Sequence, residues 1–494
     1  MRTRLLASAS LLALVAACGT TVPASVSSGP GGLALSTSGA APQVTSSSPD
    51  AVQPSGPGRA TTAGGAVAGG AAAGATETLP PYDLPTFAPG EHVPGVTATT
   101  VRVGALTEAQ NAAAAAAAGI SVQSADPAGK QLIIDDLNKH GGIAGRKVVL
   151  DVYNVDTTST TPQSVQFQAA CEHWTKDNPV IAVVVGIFDD PSLVNCLTQR
   201  HVLTIGAGIT QFDEQGFRDL LLANASTIDL SRLADTWVDA LVRRGYFAHG
   251  TFGLLRQQSV AFDRVTKDVL KPALARAGVK ITTEVAIAPA DTPGDLSRQS
   301  SEAASATLTM SANHVDHVLI WEYGGNLTLF FLRAAEEQQY RPRYGLTGNT
   351  ALATLATVDG NQFANSVAIG WLPFYNVNAA QNPPTWPGRE RCRKIYAAGG
   401  KPWSSNISDE GPAVQGCDEM WLLVEAARLG GGLPSTANLL AGLDALGKGF
   451  ASPATFTTSL VRAKHAGAAS YRDLQFDSGC TCFSFFGPLR PMAS

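Results

Sequence analysis

The sequence carries the run Val180-Ile181-Ala182-Val183-Val184-Val185-Gly186, in which most side chains are β-branched and none is polar. A strand that is apolar on both faces is typical of a parallel sheet with helices covering both of its sides. Helical patterns flank the run, one around Trp174 and the other over residues 192–200. The stretch therefore predicts a central strand of an α/β fold.

The same alternation of strand and helix continues along the chain. A strand is predicted at 101–106, and a helix begins at Asp126-Pro127, where an N-cap acid precedes a proline. About 400 ordered residues are too many for one such sheet, so we expect two α/β lobes with parallel sheets. A ligand would bind in the crevice between the lobes, at the carboxyl ends of strands. Further strands are predicted at 147–153, 202–205, 251–255, 279–287, 318–321 and 367–371.

The composition of the 494 residues excludes two broad classes of protein. Lysine and arginine number 35 against 40 aspartate and glutamate residues, so the formal charge is −5. Because affinity for phosphate requires clustered positive charge, a general nucleic-acid binder is excluded. No apolar run reaches the roughly 18 residues that span a bilayer, which excludes a polytopic membrane protein.

The N-terminus has the features of a secretory signal. Arg2 and Arg4 precede a short apolar stretch at 5–17, and small residues stand directly before Cys18. This arrangement resembles the bacterial lipobox, in which the cysteine becomes the lipid-modified N-terminus after cleavage. Residues 1–18 are therefore predicted to be a lipoprotein signal, and acyl chains on Cys18 would hold the protein on the outer face of the cytoplasmic membrane. The alternative is ordinary secretion with a chance cysteine.

Residues 19–93 are rich in Ala, Gly, Ser, Thr and Pro and carry few charges or aromatic rings. Such a segment cannot bury enough apolar surface to offset the entropy lost on ordering, so we expect a disordered tether. A flexible coil of about 70 residues has a root-mean-square reach of roughly 45 Å. The tether would therefore separate the folded body from the membrane.

Seven cysteines are present, and assigning Cys18 to lipid leaves six that can pair in an extracytoplasmic compartment. Six cysteines permit fifteen pairings, among which the sequence does not choose. One scheme pairs nearest neighbours, although its last pair would close a very small ring. A metal–thiolate site is the competing interpretation, but no Cys-x2-Cys pair is present. The six are Cys171, Cys196, Cys392, Cys417, Cys480 and Cys482.

A motif near the start of the folded body resembles that of a known family. It reads Asp135-Asp136-Leu137-Asn138-Lys139-His140-Gly141-Gly142-Ile143-Ala144-Gly145-Arg146-Lys147. With the preceding strand, it is similar to the opening of leucine/isoleucine/valine-binding proteins, which are periplasmic binding proteins of type I. The resemblance implies two Rossmann-like lobes joined by three crossovers with a hinge. Lobe 1 would comprise 96–226 and 373–458, and lobe 2 would comprise 227–372 and 459–494.

The resemblance also implies a function and partners. Lipid-anchored members of this family look like the capture subunits of ATP-driven importers. We therefore expect a monomer that binds a small polar solute, contacts the membrane through its lipid anchor and delivers the solute to an ABC permease.

Two loops of lobe 1 correspond to the family's main ligand contacts. In amino-acid binders the loop after the strand at 180–185 presents a hydroxyl and a helix N-terminus to the ligand's carboxylate. In this sequence Asp189 and Asp190 stand in that loop and would repel an anion. Asp190 has the alternative role of capping the following helix. Gly208 and Thr210, in the second loop, match positions at which the family binds the amine and the carboxylate of an amino acid. The alternative interpretation is that they form a plain turn without contacting a ligand. The predicted contacts of these loops are Asp189, Asp190, Ser192, Gly208 and Thr210.

Three loops of lobe 2 carry the remaining predicted contacts, and they depart from the family pattern. Asn349 stands where amino-acid binders place an acid that pairs with the ligand's ammonium group, so an α-amino acid is disfavoured. The retained amides and hydroxyls suit a neutral polar solute, whereas Asp189 or Glu322 would instead accept a cation. The predicted contacts are Gln257, Glu322, Tyr323 and Asn349.

No sequence motif indicates an enzyme, a metal or a cofactor. A Gly-x-Ser-x-Gly elbow, a His-Glu-x-x-His pair and a phosphate loop are all missing from the sequence. His314, Asp316 and His317 stand together, a grouping that is more typical of solvated surface than of a metal site. The leading hypothesis is a solute-binding protein of an importer. One alternative is a ligand sensor or interaction lipoprotein with the same fold, and a weaker one is an enzyme using Asp189 and Glu322 as an acid–base pair.

Overall fold

The computed structural model describes residues 92–108, 126–356, 360–378, 381, 386–403, 407–461 and 464–493. The predicted signal peptide, Cys18 and nearly all of the predicted tether lie outside these residues. Val93 is 4% exposed and belongs to a hydrophobic core. The packed chain therefore begins slightly before the predicted boundary at residue 93.

The first sheet has five strands, all parallel, in the order β2-β1-β3-β4-β5. They are β1 (Thr100–Thr107), β2 (Lys147–Asn154), β3 (Ala182–Gly186), β4 (Leu203–Gly206) and β5 (Leu222–Asn224). The β-branched run forms β3, which pairs with β1 and β4 and is buried along its whole length. The prediction of a central strand is confirmed.

The second sheet has seven strands in the order β12-β11-β10-β9-β8-β6-β7. They are β6 (Phe252–Gln257), β7 (Ile281–Ile287), β8 (His317–Trp321), β9 (Arg343–Thr347), β10 (Val367–Gly370), β11 (Ser470–Asp477) and β12 (Cys482–Pro491). The first five are parallel, as predicted, but β11 pairs antiparallel with both β10 and β12. Only a short turn joins β11 to β12, and so short a connection requires an antiparallel pair.

Helices connect most of the strands. They are α1 (Pro127–Lys139), α2 (Gln163–Glu172), α3 (Pro191–Gln199), α4 (Glu214–Asp219), α5 (Leu230–Arg243), α6 (Val260–Val265), α7 (Lys271–Arg276), α8 (Pro293–Ala312), α9 (Asn326–Glu337), α10 (Leu352–Leu355), α11 (Pro373–Asn376), α12 (Pro387–Ala398), α13 (Ile407–Gly430) and α14 (Thr436–Leu446). Asp126 caps α1 as predicted, since its Oδ1 accepts a hydrogen bond from Gly129 N at 2.9 Å. A π-helical turn, Thr266–Leu270, separates α6 from α7.

Each sheet is packed on both faces, because successive side chains of a strand point to opposite sides. Ala182 and Val184 of β3 enter one core with α1 and α13, whereas Val183 and Val185 enter another with α2 and α3. Two further cores cover the faces of the second sheet in the same way. The predicted α/β class with two mostly parallel sheets is confirmed, while the lobe boundaries stay a prediction.

The structure pairs the six cysteines as nearest neighbours. Cys171 of α2 is bonded to Cys196 of α3, with Cα atoms 6.2 Å apart. Cys392 of α12 is bonded to Cys417 of α13 in the same manner, with Cα atoms 6.0 Å apart. The third pair, Cys480–Cys482, lies at the turn between β11 and β12. The two longer bridges each join two helices that pack on the first sheet.

Candidate ligand-binding site

Loops that follow strands of both sheets meet at one place in the fold. The loops of the first sheet follow β3 and β4, and those of the second follow β8 and β9. Thr210 and Asn349 are hydrogen-bonded to each other across this junction, and the Tyr323 hydroxyl donates to the carbonyl of Ile187. The structure thus brings predicted contacts from both sheets together.

Asp189 is completely buried at the end of β3. Its Oδ2 accepts a hydrogen bond from the Thr210 hydroxyl, while its Oδ1 is buried without a hydrogen-bond partner. Burial raises the pKa of Asp189 well above its usual value, and the nearby charge of Asp190 acts in the same direction. The site therefore holds a carboxyl group with one unused acceptor.

Asp190 and Ser192 lie at the beginning of α3. Asp190 Oδ1 accepts a hydrogen bond from Ser192 N at 2.8 Å and another from the Ser192 hydroxyl. Pro191 occupies the first helical position, so the alternative interpretation of Asp190 as an N-cap is borne out by the geometry. One oxygen of Asp190 is occupied by the helix, and contact of Asp190 or Ser192 with a ligand stays a prediction.

Asn349 connects the two sheets through its side-chain amide. Its Nδ2 donates to the carbonyls of Thr210 and Glu322, each at 3.1 Å, and its Oδ1 accepts from Thr210 N at 3.4 Å. Gly208 lies in the same junction with a φ of 103°, and a Cβ there would come within 3.0 Å of the Ile187 side chain. Gly208 therefore allows a close approach of the loops that a larger residue would prevent.

Glu322 and its neighbours form the second-sheet side of the junction. Glu322 accepts hydrogen bonds from Leu327 N and Thr328 N at 3.0 Å and from the Thr328 hydroxyl. The Glu322 carboxylate thereby caps the N-terminus of α9. Burial raises the pKa of Glu322 to about 7. Gln257 accepts a hydrogen bond from Tyr323 N at 3.3 Å, which positions the tyrosine. Both oxygens of Glu322 are thus occupied by the helix rather than left for a ligand.

Side chains of the protein fill the predicted crevice. Six of the nine predicted contacts are buried: Asp189, Gly208, Thr210, Gln257, Glu322 and Asn349. One surface depression of about 380 Å³ lies between α2 and α3 and is lined by Ser192, and another of about 410 Å³ lies beside β7 and α8. The sequence predicted room for a guest molecule between the lobes, whereas the structure shows loops in direct contact. Entry of a ligand would therefore require these loops to separate.

Sequence reasoning missed Glu108, which directly follows β1. Glu108 is 4% exposed, and burial together with the charge of Asp190 raises its pKa to about 8. Its position at the carboxyl end of a strand was the available signal, since ligand-binding groups of α/β proteins gather at such ends.

A second contact between the sheets involves Asp291, which sequence reasoning also missed. Asp291 lies before α8, yet its carboxylate accepts hydrogen bonds from Ser164 N at 2.9 Å and from the Ser164 hydroxyl at 2.7 Å. Gln163 N donates to the backbone carbonyl of Asp291 at 2.9 Å. Because α2 has no side-chain cap of its own, Asp291 supplies the acceptor that its N-terminus needs.

Replacing Asp291 by alanine is expected to favour an open arrangement of the two sheets. The substitution removes two hydrogen bonds to a carboxylate, and the net loss of about 1.5 kcal/mol from even one would shift the open-to-closed ratio roughly tenfold. Small-angle X-ray scattering should show a larger radius of gyration. Asp235→Ala, which breaks an exposed pair with Arg276, is the matched control. An Asp291→Ala scattering curve that superimposes on the wild-type curve would show that the hydrogen bonds of Asp291 do not hold the two sheets together.

Two residues of the His314, Asp316 and His317 group are in contact with each other. Asp316 Oδ1 lies 2.7 Å from His317 Nδ1 and also accepts a hydrogen bond from Thr251 N. Within the described ranges, no group of three or more His, Cys, Asp or Glu side chains is arranged to hold a metal ion.

Two mostly parallel sheets whose strand-end loops meet are consistent with the fold of a type I periplasmic binding protein. The chain belongs to the periplasmic binding protein family, because the family model described as "Periplasmic binding protein" matches residues 100–481. The resemblance seen in the sequence is thereby confirmed. No match was found among curated protein sequences. In the part of the chain that the structure describes, every helix is too short or too polar to cross a bilayer.

Solved structures of similar fold include ligand-binding proteins and substrate-binding proteins of ABC transporters, and those described below have low sequence identity to this chain. A possible leucine/isoleucine/valine-binding protein from Rhodopirellula baltica is 15% identical, with a TM-score of 0.57, covering 79% of this chain and 97% of that one. A solute-binding protein from R. palustris in complex with 4-hydroxybenzoate is 12% identical, with a TM-score of 0.58 and coverage of 80% and 98%. A substrate-binding protein from Desulfitobacterium hafniense in complex with Leu is 14% identical, with a TM-score of 0.52 and coverage of 78% and 100%.

Proposed function

We propose that this protein is an extracytoplasmic solute-binding protein that captures a small polar molecule between its two sheets and delivers it to an ABC importer. The observation that carries the proposal is the junction itself. Thr210, Asn349 and Tyr323 exchange hydrogen bonds between loops that belong to different sheets. A polar ligand that offers matching donors and acceptors replaces such bonds when the loops part and close again.

The N-terminal region supports attachment to the membrane. Basic residues, a short apolar stretch and Cys18 follow the order of a lipoprotein signal, and the polar segment up to residue 93 supplies a tether. In this proposal the lipid on Cys18 holds the protein at the outer face of the cytoplasmic membrane, where it meets the permease. The lobes comprise residues 96–226 with 373–458 and residues 227–372 with 459–494.

The proposal predicts stabilisation of the mature protein by its solute. A ligand that binds the folded chain alone raises the free energy of unfolding by about 2.7 kcal/mol at a hundredfold excess over its Kd. A thermal-unfolding screen against metabolites of several charge classes measures this effect, with lysozyme as the reference for nonspecific shifts. The absence of any shift across neutral, cationic, anionic and zwitterionic solutes would count against solute capture.

A second candidate is a sensor or interaction lipoprotein that uses the same fold without transport. The direct contacts between the loops favour it, because a junction closed by the protein's own side chains holds one defined shape without a ligand. An enzyme using Asp189 and Glu322 receives no such support, since the helix α9 occupies both oxygens of Glu322. Binding without uptake in a transport assay would favour the sensor.

A further inference from the structure

Four carboxyl groups follow the ends of strands in the two sheets: Glu108 after β1, Asp189 and Asp190 after β3, and Asp291 after β7. Burial is the main cause of the raised pKa of the first three. Mutual repulsion adds to it, since the charge of Asp190 acts on Glu108 and Asp189 and the charge of Asp291 acts on Asp190. We call these four residues the carboxyl cluster.

No described basic side chain compensates the carboxyl cluster. Several other buried acids of the protein are paired with a base, among them Glu419 with Lys130 at 2.6 Å and Asp473 with Arg243 at 2.7 Å. Among the described residues, no Lys, Arg or His lies within 4.0 Å of a carboxylate oxygen of the cluster. Residues 109–125, which follow Glu108 directly, contain no Lys, Arg or His at all. The positive charge that would balance these acids is therefore not supplied by the neighbouring chain.

A second observation points to a ligand. Asp189 Oδ1 is fully buried and has no hydrogen-bond partner, although the other oxygen of the same carboxylate is bonded to Thr210. Thr350 Oγ1, next to Asn349 on the facing loop, is also buried without a partner. Buried acceptors of this kind are rare in folded proteins, because each forfeits its bonds to water. An N–H group from outside the chain would satisfy Asp189 Oδ1.

Aromatic rings beside the acids favour an organic cation. Tyr323 contacts Ile187, which stands two residues before Asp189 in the chain. Tyr323 directs its hydroxyl to the carbonyl of Ile187, so this hydroxyl does not donate to Asp189. Tyr375 donates to the carbonyl of Gly324, the residue after Tyr323, at 3.4 Å. Aromatic faces next to carboxylates are the surroundings in which proteins bind organic ammonium groups.

We propose that the ligand of this junction is a small organic cation, an amine or guanidinium compound that carries N–H donors and no carboxylate. This inference rests on the proposed function as a solute-binding protein and specifies the class of solute. One N–H group donates to Asp189 Oδ1, and the positive charge of the ligand favours the ionised forms of Glu108 and Asp190. A carboxylate on the ligand would be repelled by the same acids, which excludes amino acids.

Calorimetric titration of the mature protein with four-carbon probes tests the charge requirement. Butylamine, 1,4-diaminobutane and agmatine represent the amine and guanidinium class, 1,4-butanediol is the neutral control, and 4-aminobutanoate carries the additional carboxylate. We expect at least one cation to bind with a Kd at least a hundredfold lower than those of the diol and the amino acid. Binding of neutral or zwitterionic solutes in preference to all three cations would overturn the inference and leave the proposed function standing. Failure of every solute class to bind would overturn both.

The Asp189→Asn variant tests the assigned acceptor. The substitution keeps the shape of the side chain and an oxygen for Thr210 but removes the negative charge, so we expect the Kd of the bound cation to rise at least tenfold. Asp239→Asn, on the exposed surface of α5, is the matched control and should bind as the wild type does. Equal affinity of Asp189→Asn and wild type would overturn the assignment. If circular dichroism shows that Asp189→Asn does not fold, Glu108→Gln tests the requirement for carboxyl groups instead, since it removes one ionisable group of the carboxyl cluster, and unchanged affinity would overturn the inference.

Discussion

The free energy of unfolding is expected to fall by several kcal/mol when the pH is raised from 5 to 8. Burial raises the pKa of Glu108 to about 8 and those of Glu322 and Asp418 to about 7. Between the usual carboxyl pKa and these values, the folded chain holds protons that the unfolded chain has released. The free energy of unfolding therefore decreases as the pH rises. Each unit by which the pKa of a group in the folded chain exceeds its pKa in the unfolded chain contributes about 1.4 kcal/mol to this decrease. Starting at pH 5 keeps carboxyls with a lowered pKa, such as Asp295, ionised throughout.

Glu322→Gln isolates one of these groups. The amide is neutral at every pH, so the variant should lose less stability than the wild type over the same interval, by about 3 kcal/mol. Urea unfolding at pH 5, 6, 7 and 8 gives the slope for each protein. Glu337→Gln is the control. It removes an exposed carboxylate at the end of α9, the helix that Glu322 caps, and should keep the wild-type slope of stability against pH.

A wild-type curve that rises from pH 5 to pH 8 would show that these carboxyls are ionised and compensated in the folded protein. Such a result would also weaken the case for an unbalanced carboxyl cluster, because Glu108 belongs to both arguments. The pH series therefore tests an assumption of the ligand inference without any ligand present.

Local sequence signals predicted the parallel part of the fold. The run at 180–186 forms β3 because β-branched side chains fit a strand that is packed on both faces. The acids Asp126 and Asp190 marked helix starts because each precedes a proline, whose fixed φ suits the first turn. The hairpin of β11 and β12 gave no comparable signal, since its pairing with β10 joins segments about a hundred residues apart in the chain.

The candidate site was predictable only in part. Asp189, Thr210 and Asn349 lie just after strands, so their positions followed from the topology of parallel sheets. That Asn349 would bond to Thr210 depends on the relative orientation of two sheets, and 139 residues separate the two partners in sequence. Asp291 escaped prediction for the same reason, because the helix it caps belongs to the other sheet. Contacts within one element follow from local pattern, whereas contacts between sheets do not.

Removing the Cys392–Cys417 bridge by a double substitution to alanine is expected to lower the free energy of unfolding by about 3 kcal/mol. The two cysteines are 25 residues apart, and a crosslink across a loop of this length restricts the unfolded chain considerably. Both residues are completely buried, and alanine avoids placing a hydroxyl in that core. Chemical denaturation of the variant and the wild type under oxidising conditions measures the difference.

The other two bridges provide matched comparisons. Cys171–Cys196 spans the same 25 residues, so its removal should cost a similar amount, while Cys480–Cys482 spans 2 residues and should cost only about 1 kcal/mol. If loop length governs the effect, the two long bridges will behave alike and the short one will differ from both. Equal losses for all three would contradict this explanation, because burial and loop length both set Cys480–Cys482 apart. A large loss for the short bridge alone would instead show that the turn between β11 and β12 holds the antiparallel edge of the second sheet.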